Sequence, residues 1–79
     1  MIRVKLTGEF TKLAPAENDK GSFSMEYENG LTLSLLVTRL GVRDQGIKYT
    51  VMVNNVRKPE DYALNDSDSV LIIPLLAGG

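Results

Sequence analysis

The sequence predicts an α+β fold in which a mixed sheet of four to five strands packs on one main helix. Three observations lead there. Apolar residues alternate with polar ones at Ile2–Leu6, Phe23–Tyr27 and Tyr49–Val53; one stripe of helical spacing runs from Leu33 to Leu40; and a nearly unbroken apolar run, Val70 to Ile73, stands close to the C-terminus. Period-two segments with one apolar face need a partner layer, and a single amphipathic helix supplies it. With 79 residues the chain has room for one core, so residues 1–79 are expected to form a single domain.

The elements follow in order. Ile2, Val4 and Leu6 point inward from a first strand, with Arg3 and Lys5 on its other side. Residues 9–21 carry Pro15, Asn18, Asp19 and Gly21 with little periodicity and read as a loop, which Phe10 and Leu13 could anchor to the core. Phe23, Met25 and Tyr27 alternate with Ser24, Glu26 and Glu28 in a second strand, antiparallel to the first. Asn29-Gly30 ends it. Thr32 is placed to cap a helix with its hydroxyl, Leu31 and Leu36 occupy hydrophobic-staple positions, Leu33, Leu36, Val37 and Leu40 form the buried stripe, and Gly41 stops the helix. Leu35 lies off this stripe and is a candidate contact for a partner, although single exposed leucines are ordinary.

Tyr49, Val51 and Val53 make a third strand, which Asn54-Asn55 turns into the short segment Val56-Arg57-Lys58. Pro59–Tyr62 reads as a turn or one helical turn, Leu64 as a core contact, and Asn65–Ser69 as a polar turn. In that turn Asp66-Ser67-Asp68 has the opening rhythm of a calcium loop but lacks its downstream glycine and glutamate, so turn capping is the favoured role. The final strand, Val70–Ile73, is apolar on both faces. It suits a central position beside the first strand and parallel to it, with both faces at least partly covered. This order of strands around one helix is β-grasp-like. The expected core is Ile2, Val4, Leu6, Phe23, Met25, Leu33, Leu36, Val37, Leu40, Val51, Val53, Leu64, Val70 and Ile72.

Composition narrows the chemistry. Nine basic and ten acidic residues give a formal charge of -1, which leaves no cationic excess for nucleic acid. No cysteine and no histidine are present, which removes the disulfide, the thiolate nucleophile, the usual general base and the commonest metal ligand. No apolar stretch approaches the length that spans a bilayer, and strand patterning starts at Ile2. No membrane partner, no bound cofactor, no metal and a cytoplasmic location are expected.

The chemistry that is left lies in the segment Pro74-Leu75-Leu76-Ala77-Gly78-Gly79, a flexible tail expected from about residue 74. Proline interrupts a regular internal strand, and two glycines make a tail slender enough to lie extended in a narrow channel and deliver a carboxylate. A carboxylate is a poor acyl donor until an ATP-using partner converts it to an acyl adenylate, after which sulfur or an amine can displace AMP. A frayed glycine-rich terminus is the competing reading.

The opening strand Ile2–Leu6, the helix segment Thr32–Val37, the run Val53-Asn54-Asn55, the turn Leu64–Val70 and above all Ile73-Pro74-Leu75-Leu76-Ala77-Gly78-Gly79 resemble the small sulfur carriers of the MoaD/ThiS family, which have the ubiquitin-like β-grasp fold. The resemblance covers nearly the whole chain. It implies that Gly79 is adenylated by an E1-like adenylyltransferase using ATP and then carries sulfur as a thiocarboxylate, and that Gly78 keeps the tail narrow. Pro74, Leu75, Leu76, Ala77, Gly78 and Leu35 are the implied partner contacts. The implied partners are the E1-like enzyme, a sulfur-accepting synthase large subunit and, indirectly, a sulfur donor protein; the chain itself is a cosubstrate and not a catalyst. Length and tail resemble the molybdopterin-synthase small subunit more than the shorter thiamine-type carriers, which favours molybdopterin or tungstopterin cofactor synthesis. Two positions depart from the pattern: Ser67 stands where a glycine is often found, and Leu75 where a second proline is common. A ubiquitin-like protein modifier joined through Gly79 to lysines, and a plain interaction module, are the alternatives.

Overall fold

The computed structural model describes residues 1–75. Five strands form one mixed sheet: β1 (Ile2–Leu6), β2 (Ser22–Met25), β3 (Tyr49–Val53), β4 (Val56–Arg57) and β5 (Ser69–Pro74), in the spatial order β2-β1-β5-β3-β4. β5 is central, parallel to β1 and antiparallel to β3, as the apolar run of its sequence predicts. Helix α1 (Leu33–Leu40) supplies the second layer, burying Leu33, Leu36 and Val37.

The helix is bounded by local chemistry. Thr32 Oγ1 accepts a hydrogen bond from the Leu35 amide at 3.2 Å, and the Leu33 and Ser34 amides donate to the carbonyls of Tyr62 and Glu60. The free donors of the first turn are therefore satisfied, two of them by the segment that returns from β4. At the other end Gly41 takes φ 82°, its amide bonds Thr38 O, and the Val42 amide bonds Val37 O. That pair of bonds is a Schellman closure, which requires the left-handed backbone that glycine adopts without a Cβ penalty. It also drives Val42 into the core, where it is fully buried.

The core agrees with the sequence pattern except at its margins. Met25 and Leu40 are half-buried and pack against the core from outside, while Phe10, Leu31 and Val42 are wholly inside. The expected loop over residues 9–21 is corrected in its first half: Gly8–Leu13 forms a 3-10 helix whose one buried side chain is Phe10. A six-residue 3-10 segment shows no 3.6-residue stripe, which is why periodicity missed it.

The turn between Leu64 and β5 is held from within. Asp68 is 7% exposed; its Oδ2 accepts from the Asn65 amide at 2.8 Å and its Oδ1 from Asn54 Nδ2 at 2.9 Å. A buried carboxylate with both oxygens bonded ties this turn to the β3–β4 hairpin, whose Asn54 and Asn55 have φ of 50° and 69° as a two-residue hairpin turn demands. Asp68 thus does the turn capping expected of the acidic pair. Ser67 takes φ 76°, in the region that favours glycine. Ser67→Gly should therefore raise stability by up to about 1 kcal/mol, the relieved strain being partly offset by the freer unfolded chain; chemical denaturation of both proteins checks it.

Candidate functional site: the root of the C-terminal tail and the outer sheet face

Of the predicted site residues, Pro74 ends β5 and Leu75 directly follows it, Leu35 lies on the helix, and Leu76, Ala77, Gly78 and Gly79 lie outside the described residues. The tail expected from about residue 74 is corrected at its start, because β5 runs through Pro74 and the Leu75 amide still donates to Lys48 O at 2.7 Å. Proline is tolerated in a central strand here for a specific reason. Backbone groups of the even-numbered residues of β5 turn toward β1, as the Thr7 amide bonding Ile72 O shows, and β1 ends at Leu6. The N–H that Pro74 lacks would have faced no strand.

Gly8 makes that junction possible. A Cβ at Gly8 would stand 2.8 Å from Pro74 Cγ, and its φ is 55°. Bare backbone lets the proline ring close over the start of the 3-10 helix and fixes the direction in which the chain leaves the sheet.

The register shows what surrounds the root. One row crosses all five strands on the face away from α1: Ser22, Lys5, Leu71, Met52 and Arg57 are successive cross-strand neighbours. Ile73 and Thr50 form the next row toward the tail. Leu71, Met52 and Ile73 are half-buried, and Leu75, next on the same face, is 47% exposed. The two-sided apolar character of β5 is therefore corrected in its meaning. Its inner side fills the core, while its outer side is an apolar stripe that no second layer covers among the described residues. Cations flank the stripe, Lys5 and Arg3 on one side and Arg57 on the other. Sequence reasoning missed the stripe, although the unbroken run Val70–Ile73 was its signal.

Leu35 is 43% exposed and sits on the helical layer, behind the sheet face that carries Leu75. The structure does not bring the two together.

A polar clasp of side chains borders the site near the tail. Tyr49 OH donates to Glu60 Oε1, Arg43 Nη2 donates to Glu60 Oε2 and to Ser34 Oγ, both at 2.9 Å, and the Tyr49 ring meets Phe10 edge-on with centroids 6.2 Å apart. The Tyr49 hydrogen bond and the Arg43 guanidinium hold the Glu60 carboxyl below its usual range, and partial burial with the bond to Glu60 pushes the Tyr49 phenol up. Residues 59–62 are thereby anchored to the helix and to β3. No group of acidic side chains among the described residues is placed to hold a metal ion, and no helix there is long and apolar enough to cross a membrane.

A central parallel β1–β5 pair, β3 antiparallel to β5, and one helix across the sheet define the β-grasp, ubiquitin-like fold. Comparison with solved structures places known proteins on the same fold. SAMP1 from Haloferax volcanii is similar at TM-score 0.71 and 14% identity, covering 99% of this chain and 98% of that one. A Pyrococcus furiosus protein, provisionally described as molybdopterin converting factor subunit 1, is similar at TM-score 0.71 and 19% identity, covering 95% of this chain and 97% of that one. No protein-family model matches the sequence, and no curated protein matches it either.

Proposed function

We propose that the chain is a sulfur carrier of the β-grasp type, activated at Gly79 by an E1-like adenylyltransferase. The observation that supports this reading best is the course of β5. The central strand carries the chain past a cation-flanked apolar stripe, is pinned at Leu75, and leads into Leu76-Ala77-Gly78-Gly79. In the proposed sequence the Gly79 carboxylate attacks the α-phosphorus of ATP in the partner's active site and pyrophosphate leaves. A persulfide of the donor protein then displaces AMP from the acyl carbon to give an acyl disulfide, and a second partner thiol attacks the donor's sulfur, so that the thiocarboxylate leaves on the carrier and a disulfide is left on the partner side. In this reading the partner supplies ATP and the acid–base groups, and the carrier supplies reach and recognition. Delivery to the large subunit of a molybdopterin or tungstopterin synthase in the cytoplasm is the pathway we favour, and the Pyrococcus furiosus neighbour supports it by its description.

The stripe gives the partner its foothold. Apolar anchors ringed by cations suit a surface with an apolar centre and an acidic rim. Ile73→Asp should weaken binding to the cognate activating enzyme at least tenfold, as loss of a desolvated anchor does, while leaving the fold intact because this side chain faces outward. Titration calorimetry with a thermal-melt control reads both effects, and unchanged affinity would remove this face from recognition.

Intact-protein mass spectrometry of the chain from native cells tests the function itself. Replacement of one oxygen by sulfur identifies a carrier. A Gly-Gly branch on lysines of other proteins identifies a modifier, whose chemistry begins with the same adenylate, and neither product leaves an interaction module.

A further inference from the structure

Beside the root of the tail the sheet has an open edge. β4 is two residues long and pairs only with Met52 and Val53 of β3; the Lys58 amide then bonds Val51 O at 3.2 Å, and the chain turns away at Pro59. Hydrogen bonds alternate along β3. Lys48 O accepts from the Leu75 amide and the Asn54 amide donates to Ser69 O, so the even-numbered residues face β5 and the odd-numbered ones face the outer edge. The amide of Val51 and both backbone groups of Tyr49 therefore point outward, and no backbone partner takes them among the described residues.

A groove of about 660 Å³ runs along this edge, and Lys48, Tyr49, Val51, Arg57, Lys58 and Leu75 contribute to its lining. Glu60 also borders it, but its carboxylate is already engaged by Tyr49 and Arg43. The Lys58 ammonium lies 5.0 Å from the centre of the Tyr62 ring, a contact that leaves its charge uncompensated. Lys48, Arg57 and Lys58 thus give the groove a net positive lining. The Tyr49 side chain is held by Phe10 and Glu60, which lowers the cost of ordering this backbone edge on binding.

We propose that this edge docks an extended acidic segment of a partner protein, which adds as a further strand beside Tyr49, reaches the Val51 amide where Lys58 already holds Val51 O, and places its carboxylates toward Lys48, Arg57 and Lys58. Main-chain hydrogen bonds would give such a segment its affinity and the cations its selectivity. Docking here does not rest on activation of Gly79, although it would set a partner beside the tail.

The test is a titration of the isotope-labelled full chain, followed by nuclear magnetic resonance, with a capped octapeptide of alternating valine and glutamate; the valine–lysine octapeptide is the control. The acidic peptide should shift the Tyr49 and Val51 amides and slow their hydrogen exchange, and the control should not. Lys48→Glu combined with Lys58→Glu should weaken the acidic peptide about tenfold and admit the basic one. The paired Gln substitutions, with an intermediate loss, serve if the reversed variant does not fold. Shifts confined to Leu71, Met52 and Ile73 or to the β2 edge, or no shift at millimolar peptide, would overturn the proposal. So would movement of the Tyr49 and Val51 amides on dilution of the free chain, which would make a second copy the occupant. Movement of the same amides on truncation after Leu75 would assign the groove to the chain's own last residues and overturn it likewise.

Discussion

Removing Gly79, or adding one residue after it, is expected to abolish ATP–pyrophosphate exchange by the cognate activating enzyme while leaving the domain folded. Leu75, the last of the described residues, is tied to the sheet through its 2.7 Å bond to Lys48 O. Four residues beyond it, at about 3.3–3.6 Å each when extended, set a reach of about 14 Å at most. One residue more or less displaces the carboxylate by about 3.5 Å, and misplacement by about 1 Å can already cost a hundredfold in rate. Gly78→Val should act in the same direction, because a β-branched side chain both widens the tail and restricts its dihedrals. A denaturation curve unchanged from wild type is the companion result, since among the described residues the side chains that fill the core end at Ile72. Exchange at the wild-type rate by an extended, untrimmed chain would show that Gly79 is not the activated group.

Leu36→Ala is expected to cost about 2–5 kcal/mol, the ordinary range for emptying a leucine site in a packed core. Leu36 has no exposed surface, faces the sheet from the middle of α1, and shares the staple with Leu31, which is 1% exposed. A domain of this size has a total stability of only about 4–12 kcal/mol at the usual 0.05–0.15 kcal/mol per residue, so the variant approaches unfolding. Leu36→Met keeps the volume and should lose less than about 1.5 kcal/mol. Equilibrium denaturation of the two variants separates cavity formation from a general intolerance of the site. A loss within about 0.5 kcal/mol for the alanine would mean that the helix presents another face.

What could be read from the sequence was whatever is decided within a few residues. Thr32, Leu31 with Leu36, and Gly41 bound the helix because a cap, a staple and a left-handed stop are each local events. Asn54-Asn55 forms its turn because two successive positive φ values are a property of the dipeptide and its closing pair. Even the central place of β5 was legible, since a strand with apolar residues on both sides is poorly suited to an edge. The Gly-Gly tail was conspicuous for the same reason: its chemistry is carried by residue type.

The sequence by itself therefore determined the order of the strands and the main helix and the inner faces of both, and it singled out the tail on which the proposed chemistry rests. Tertiary structure alone decided what lies against what. Phe10 and Val42 are core residues because a 3-10 turn and a Schellman closure deliver them there, and neither leaves a periodic signal. Asp68 is buried because Asn54, fourteen residues earlier in the chain, and Asn65 meet its two oxygens in space. Pro74 stays in a central strand because β1 has already ended, and Leu71 and Ile73 form an outer stripe because the sheet has one covering layer where their hydrophobicity would allow two. Periodicity reports which side a residue takes along its own strand, whereas burial of that side depends on how many layers the whole chain can build.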